Sequence, residues 1–248
     1  MPEKHYYEQI NYTTSYFLPY LHNFISDFKG KEVLEIGCAE GGLLKVLSEK
    51  GANVTGIEIS KPRVDLALEK NPNLNIILGD ITAPNLSEQM NNKYDLIVMR
   101  EVIEHIYKKE ETFRNISELL KEEGLVFISF PPKWSPFAGH QQIAKSFLKY
   151  IPYLHLLPKN LLYSIAKAFG DSKEYVDEIK LHFSTGCTIN NFETLSRKYK
   201  LTPVIKEFFL FRPVYLPRFG LPKLKLPNIP LIREMITLGC ESLLKKTF

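Results

Sequence analysis

Between residues 31 and 130, short runs rich in valine, isoleucine and leucine alternate with amphipathic stretches, and no other feature of the chain restricts its fold as much. "EVLEIG", "NVTGIEIS", "LNIILGD", "KYDLIVMR" and "GLVFISF" read as strands. "GGLLKVLSEKG", closed by Gly51, reads as a helix. So does "KPRVDLALEKN", where Pro62 sits near the first turn and its missing N–H costs nothing. "APNLSEQMN" and the charged "IEHIYKKEETFRNISELLKEE" fill the later connections. Strands alternating with helices imply right-handed crossovers and a parallel sheet, an α/β fold. Runs this evenly apolar imply strands buried on both faces.

The flanks differ in character. "YYEQINYTTSYFLPYLHNFISDF" is predicted helical and apolar on one side. Eleven of the sixteen prolines lie from Pro131 onward. There "PPKWSPFAGHQQ" reads as a loop, and "IAKSFLKYIPYLHLLPKNLLYSIAKAFG" as one or two apolar helices interrupted at Pro152 and Pro158. "NNFETLSRKYKL" reads as a helix, "TPVIKEFFLF" as a strand, and "CESLLKK" as a last strand at the sheet edge. A 44% hydrophobic content argues against disorder. The three cysteines, Cys38, Cys187 and Cys240, are too few and too uneven for a disulfide framework and fit a reducing compartment. The polar N-terminus carries no apolar h-region, and no run approaches a membrane span, so a cytoplasmic protein is expected. Charge is divided: 14 basic against 20 acidic residues through Pro132, then 18 against 8 from Lys133. The basic second part suggests phosphate groups, nucleic acid or an anionic membrane surface as partner, or an ordinary lysine-rich surface.

The glycine-bearing turn "GCAEGG" follows the first strand. An open parallel sheet binds ligands at the carboxyl ends of its strands, near this switch point. Gly37 and Gly41 permit positive φ and close approach of a ligand, and the next helix offers free N–H groups. The turn departs from GxGxxG, with Ala39 between the glycines, and a tight turn without a ligand stands as the alternative. Glu58 ends the second strand, where an acid can accept from both ribose hydroxyls. Asp80 ends the third, where it can accept from the exocyclic amine of an adenine, and Arg100 and Glu101 follow the fourth.

Together "VLEIGCAEGG", "GIEIS", "LGD" and "YDLIVMREVIEH" resemble the successive motifs of class I S-adenosylmethionine-dependent methyltransferases, over residues 31–130. The resemblance implies a Rossmann-like seven-stranded, mostly parallel sheet with the last strand antiparallel. Residues 1–30 would be a helical cap, 31–130 the donor-binding core, 131–187 an acceptor-side helical insertion or lid, and 188–248 the rest of the sheet with a basic proline-rich loop. It implies Glu35 and Gly37 at the methionine end of S-adenosylmethionine, with Cys38, Ala39 and Gly41 in the same turn. Glu58 would hold the ribose, with Ile59 also at the donor; Asp80 and Ile81 would face the adenine, and Arg100 would lie beside the methionine moiety. Dinucleotide oxidoreductases share the turn and the ribose acid, but "LGD" and "REVIEH" suit the methyltransferase pattern better.

Methyl transfer from a sulfonium is an in-line displacement, and holding the acceptor in line is worth roughly 7–11 kcal/mol. A hydroxyl acceptor gains about 10²–10⁴-fold from a general base. His105, His140 and His182 are the candidates, with packed or orienting histidines as the alternative. "EVIEH" also resembles the metal-binding segment of ubiquinone-pathway O-methyltransferases and of small-RNA 2′-O-methyltransferases. That likeness implies a divalent metal (Mg²⁺, Mn²⁺ or Zn²⁺) on Glu101, Glu104, His105 and His182. On a helix the first three would share one face. The alternative is a metal-free site capped by the same residues. Residues 131–183 are aromatic and apolar, with Trp134, Phe137, Phe147 and Tyr150 among them. The tail interleaves leucines with Arg212, Arg218, Lys223 and Lys225, which resembles a patch for an anionic membrane surface or a lipid-linked acceptor; the alternative is a lid packed inward. The leading expectation is methylation of a small-molecule acceptor at oxygen, one that is lipid-, quinone- or glycan-like, by a protein peripheral at the membrane. RNA 2′-O-methylation is the second, disfavoured because the cations are spread among prolines. A non-catalytic donor-binding relative, suggested by Ala39, is the third.

Overall fold

The computed structural model describes residues 2–90, 92–230 and 232–247, without the side chains of Pro2 and Arg218; the place of Arg218 in the basic tail therefore lies outside the description. Eight strands form one sheet: β1 (Glu32–Ile36), β2 (Asn53–Glu58), β3 (Asn75–Leu78), β4 (Tyr94–Arg100), β5 (Leu120–Phe130), β6 (Leu201–Phe211), β7 (Leu224–Leu226) and β8 (Gly239–Lys246). Their order is β3-β2-β1-β4-β5-β8-β6-β7, parallel from β3 through β5. The antiparallel last strand is as the sequence predicts, but its place is not. β8 lies between β5 and β6, antiparallel to both, rather than at the edge. Its alternating side chains explain why: Leu243 enters the core on one face of the sheet, and Cys240 and Leu244 the core on the other. The edge is the eighth, short strand β7, which pairs with β6 inside the proline-rich tail.

Period-2 alternation supplies two cores. Leu96 and Val98 of β4 face one side with Val33 of β1 and Phe127 of β5. Ile97 and Met99 face the other with Leu34, Ile36 and Ile128. All are at most 2% exposed, and a side chain buried so fully contributes about 1.5–3 kcal/mol.

The N-terminal segment is α1 (Pro2–Tyr12), a π turn (Thr13–Phe17) and α2 (Leu18–Leu21). Phe17 and Leu21 pack on the first core with α3 (Gly42–Ser48), which follows the glycine turn. α4 (Lys61–Lys70), α5 (Leu86–Met90) and α6 (Lys109–Leu119) make the remaining crossovers.

After β5 the chain departs from the helices read in "IAKSFLKYIPYLHLLPKN". Three 3₁₀ turns (Gln141–Ile143, Phe147–Tyr150 and Leu154–Leu156) take their place, and α7 (Lys159–Ala168) begins only after Pro158. Pro152 removes a backbone donor, and Tyr153 adopts φ +63°, so a continuous helix cannot form. α8 (Lys173–Thr185) is an element that the sequence reading missed. Its signals were present: Ser172 caps it by accepting from the Tyr175 N–H at 3.4 Å, and Tyr175, Val176 and Ile179 recur at helical spacing. These side chains share a small third core with Leu148, Leu154 and Leu162. α9 (Ile189–Lys198), α10 (Tyr215–Phe219) and α11 (Arg233–Ile236) complete the chain. No described helix is long and apolar enough to cross a membrane. The three cysteines are buried and free.

Candidate functional site

The ends of β1, β2 and β4, with the segments that follow them, open on one cleft of about 780 Å³. The turn after β1 holds three left-handed residues: Gly37 at φ +68°, Ala39 at +49° and Gly41 at +76°. Gly37 meets two constraints. A Cβ there would lie 2.4 Å from Cγ2 of Val102, so the close approach that demands glycine is made by the segment after β4. Ala39 is held in the left-handed region because its N–H donates to Glu58 Oε2 at 3.0 Å. The other Glu58 oxygen accepts from the Ser60 N–H at 2.9 Å. The acid at the end of β2 thus builds the turn as well as lining the cleft.

Of the other residues the resemblance assigns to the donor, Glu35, Ile59, Asp80, Ile81 and Arg100 line the cleft, and Ile59 is 72% exposed. Cys38 and Gly41 are not among the lining residues. The Cys38 side chain turns into the core with Leu43 and Leu44, and Gly41 packs against Leu74, so both act through the backbone of the turn. Asp80 Oδ1 accepts from the Thr82 N–H at 2.8 Å. Buried Asn115, which the sequence reading missed, donates to the carbonyls of Ile81 and Ala83 at 2.6 and 3.0 Å and fixes this rim.

At the opposite end Arg100 Nη2 donates to Glu35 Oε1 at 3.1 Å. The guanidinium lies 5.5 and 5.2 Å from the ring centres of Tyr12 and Phe17. Burial pushes the Glu35 carboxyl up to about 7, although Arg100 pulls it down. Arg100 Nε and Glu35 Oε2 are both buried with no hydrogen-bond partner among the described residues. A bare donor beside a bare acceptor is the complement of a zwitterion. Such groups are costly to leave unpaired, and in the cleft wall a ligand with complementary groups would satisfy them. From this end to Asp80 the cleft offers contacts for an amino-acid zwitterion, a diol and an amine-bearing ring, which are the parts of S-adenosylmethionine.

α1, in the segment expected to be a helical cap, forms one wall of the cleft. His5, Gln9 and Tyr12 line it. Gln9 grips the turn from both sides, donating to Cys38 O at 3.4 Å and accepting from the Gly42 N–H at 3.0 Å. His5 Nδ1 pairs with the buried carboxylate of Glu40.

The proposed metal ligands do not share a helix face. Glu101 sits at φ +56° and breaks the chain direction, and only Ile103–His105 turns, as 3₁₀. Glu101 Oε1 instead pairs with Arg212 Nη2 at 2.5 Å and accepts from Ser129 Oγ at 3.3 Å. Glu104 is buried, with Oε1 3.9 Å from His105 Nε2, and burial raises its carboxyl well above the usual range. What does converge is His105, His140 and His182. Their ring centres are 4.2–5.1 Å apart, and their nitrogens lie within 4.8 Å of one another. Burial lowers all three, His105 and His140 to about 4. They are therefore uncharged at neutral pH and weak as bases. His105 lines the cleft.

A family model described as a methyltransferase domain matches residues 6–163. The ubiquinone biosynthesis O-methyltransferase of Glaesserella parasuis is 34% identical over 118 residues, 45% of this chain and 50% of that protein. That of Pseudomonas fluorescens is 28% identical over 198 residues, 74% of this chain and 78% of that protein. The chain spans about half the length of several of the curated relatives it matches. Among solved structures, the plantazolicin methyltransferase BamL has a TM-score of 0.62 at 14% identity, over 98% of this chain and 86% of that one; at that identity the likeness is one of fold.

Proposed function

Because this chain belongs to the methyltransferase-domain family, we propose that it transfers the methyl group of S-adenosylmethionine to a hydroxyl oxygen of a small, apolar, quinone- or lipid-like acceptor. The single observation that carries the donor reading is the buried, unpartnered pair Glu35 Oε2 and Arg100 Nε, aligned with Glu58 and Asp80 in one cleft. Glu35 takes the ammonium of the methionine moiety and Arg100 its carboxylate. Glu58 takes the ribose hydroxyls, and Asp80 with Ile81 faces the adenine. The bound donor supplies an electrophilic methyl on sulfur. The chain's part is to orient the acceptor and to exclude water, and α1 covers the cleft for both purposes. The names of the relatives favour oxygen as the acceptor atom. The aromatic side chains between Trp134 and Tyr150 favour an apolar acceptor.

Two measurements test this. Calorimetric titration with S-adenosylmethionine should show binding that Glu58→Gln weakens at least tenfold, since loss of a charged partner at a buried hydrogen bond costs about 1.5–3 kcal/mol. Unchanged affinity would remove Glu58 from the ribose. Isotope-labelled donor with fractionated cell extract should then place label in the organic or small-molecule fraction. Label in RNA instead would overturn the acceptor class.

A position at a cytoplasmic membrane face is part of the proposal. Leu216, Phe219, Leu221 and Leu224 are exposed along the tail that carries Lys223 and Lys225. Lys225 pairs with Glu207, and Lys223 lies 5.3 Å from the centre of the Tyr16 ring, so apolar contact has to provide most of the attachment. Failure to sediment with anionic liposomes at low salt would remove it.

A further inference from the structure

We propose that His105, His140 and His182 form a three-imidazole site for a transition-metal ion, zinc being the fitting choice, beside the cleft that His105 lines. This is not the set implied by the resemblance. Glu101 is committed to Arg212 and Ser129. His140, from a different segment, takes the place of the glutamates.

Three observations carry the site. First, one ring nitrogen from each histidine already lies within 4.8 Å of the other two. Zinc–nitrogen bonds of about 2.0–2.1 Å put tetrahedral donors about 3.3–3.4 Å apart, so modest ring rotations close the set. Second, the imidazoles come from three segments, two of which are tied together from outside the cluster. Lys109 Nζ donates to the carbonyls of Ile106 and Thr185, tying the turn of His105 to the end of α8. Tyr107 Oη and Ser184 Oγ make a second tie at 2.8 Å. Third, the loop bearing His140 is held in an expensive conformation. His140 itself has φ +56°. A Cβ on Gly139 would lie 2.4 Å from Cβ of His155, so only glycine fits there. Buried Gln141 fastens the next residue by donating to the carbonyls of Pro136 and Ile151. A non-glycine residue in this region costs about 1–3 kcal/mol and persists where a functional arrangement requires it.

The donor set names the ion class. Imidazole alone suits zinc, copper, nickel or iron, whereas magnesium and calcium need oxygen. Three protein ligands leave a fourth position open, the pattern of catalytic rather than structural zinc. Buried Glu104, with Oε1 3.9 Å from His105 Nε2, stands beside the set.

The catalytic role, unlike the metal site, rests on the methyl-transfer reading. With a metal held by the three imidazoles, an acceptor hydroxyl beside it would lose its proton to solvent more readily. Its oxygen lone pair then forms the O–CH₃ bond as the S–CH₃ bond breaks, the pair returning to sulfur and the sulfonium becoming a neutral thioether.

The test is zinc titration by calorimetry into chelator-treated full-length protein, with a parallel cobalt(II) titration followed by visible absorption. One zinc per chain and the intense bands of four-coordinate cobalt are expected. His140→Ala and His182→Gln should each weaken zinc at least 100-fold, with far-ultraviolet circular dichroism and S-adenosylmethionine binding unchanged. Glu101→Gln should leave zinc affinity as it was. No zinc binding, unaltered affinity in both histidine variants, or loss in Glu101→Gln alone would each overturn the site. Donor titration separates the readings: zinc lost with donor binding intact sinks this site only, and the reverse sinks the methyltransferase reading only.

Discussion

Gly37 concentrates two demands on one residue, a left-handed backbone at φ +68° and a missing side chain against Val102. Gly37→Ala should therefore destabilise the fold by about 2–4 kcal/mol, strain and overpacking adding. Urea unfolding measures this. Gly37→Ala with Val102→Ala should recover the steric part and leave the backbone part. Full recovery would show that the conformation itself costs nothing. Ala39 shows the opposite solution: it tolerates φ +49° because the Glu58 carboxylate holds its N–H. Glu58→Ala is then a poor probe of ligand contact, since it also releases the turn. Glu58→Gln retains an oxygen acceptor and is the cleaner variant.

Among the elements, α1 connects the start of the chain to the site. Gln9 is hydrogen-bonded to both sides of the glycine turn, Tyr6 Oη accepts from Asn71 Nδ2 at 2.9 Å, and His5 meets Glu40. With His5, Gln9 and Tyr12 among the residues that line the cleft, α1 forms part of the wall that a bound ligand touches. Gln9→Ala should raise the dissociation rate of S-adenosylmethionine several-fold with a smaller change in the association rate, as stopped-flow displacement would record. An unchanged dissociation rate would mean that the helix does not gate the cleft. α8 has an equally local origin, with a serine cap and apolar spacing, yet its consequence is distant, because it delivers His182 to His105 and His140.

For the whole molecule, the first and last elements meet at Glu241. Tyr16 Oη donates to its carboxylate at 2.9 Å and Tyr12 Oη at 3.5 Å, joining the N-terminal segment to β8. Burial holds this carboxyl up at about 7, against the pull of Tyr16 and Arg212. A folded-state value above the unfolded one means that the native state binds the extra proton. This contribution to stability is complete below about 4.5 and is lost as pH rises to about 7. Glu241→Gln keeps an acceptor for Tyr16 and removes the titration. Relative to the parent it should gain up to ~3 kcal/mol between pH 4.5 and pH 8, at ~1.4 kcal/mol per unit. Urea unfolding at both values checks this, and a gain independent of pH would refute it. The divided charge of the chain is also partly internal. Arg212–Glu101, Lys198–Glu110 and Lys245–Glu123 each join the basic second part to the acidic first part, so the surplus facing a partner is smaller than composition suggests.

The sequence by itself determined the alternation of strands and helices through β5, the turn after β1, and the acids at successive strand ends. These are matters of period and of neighbours a few residues apart, and Glu58, Asp80 and Arg100 could be named from them, whereas Glu35 came only from the resemblance. Only the tertiary structure decided which distant side chains meet. β8 inserts between β5 and β6 because its two faces feed two cores, a fact invisible in an eight-residue strand. Glu101, four residues before His105 and so one helical turn away on paper, is drawn to Arg212 once the backbone bends at φ +56°. His140 and His182, 42 residues apart, come to stack at 4.2 Å. Local periodicity is written in neighbouring residues, whereas convergence of side chains depends on how buried surfaces from far along the chain pack together.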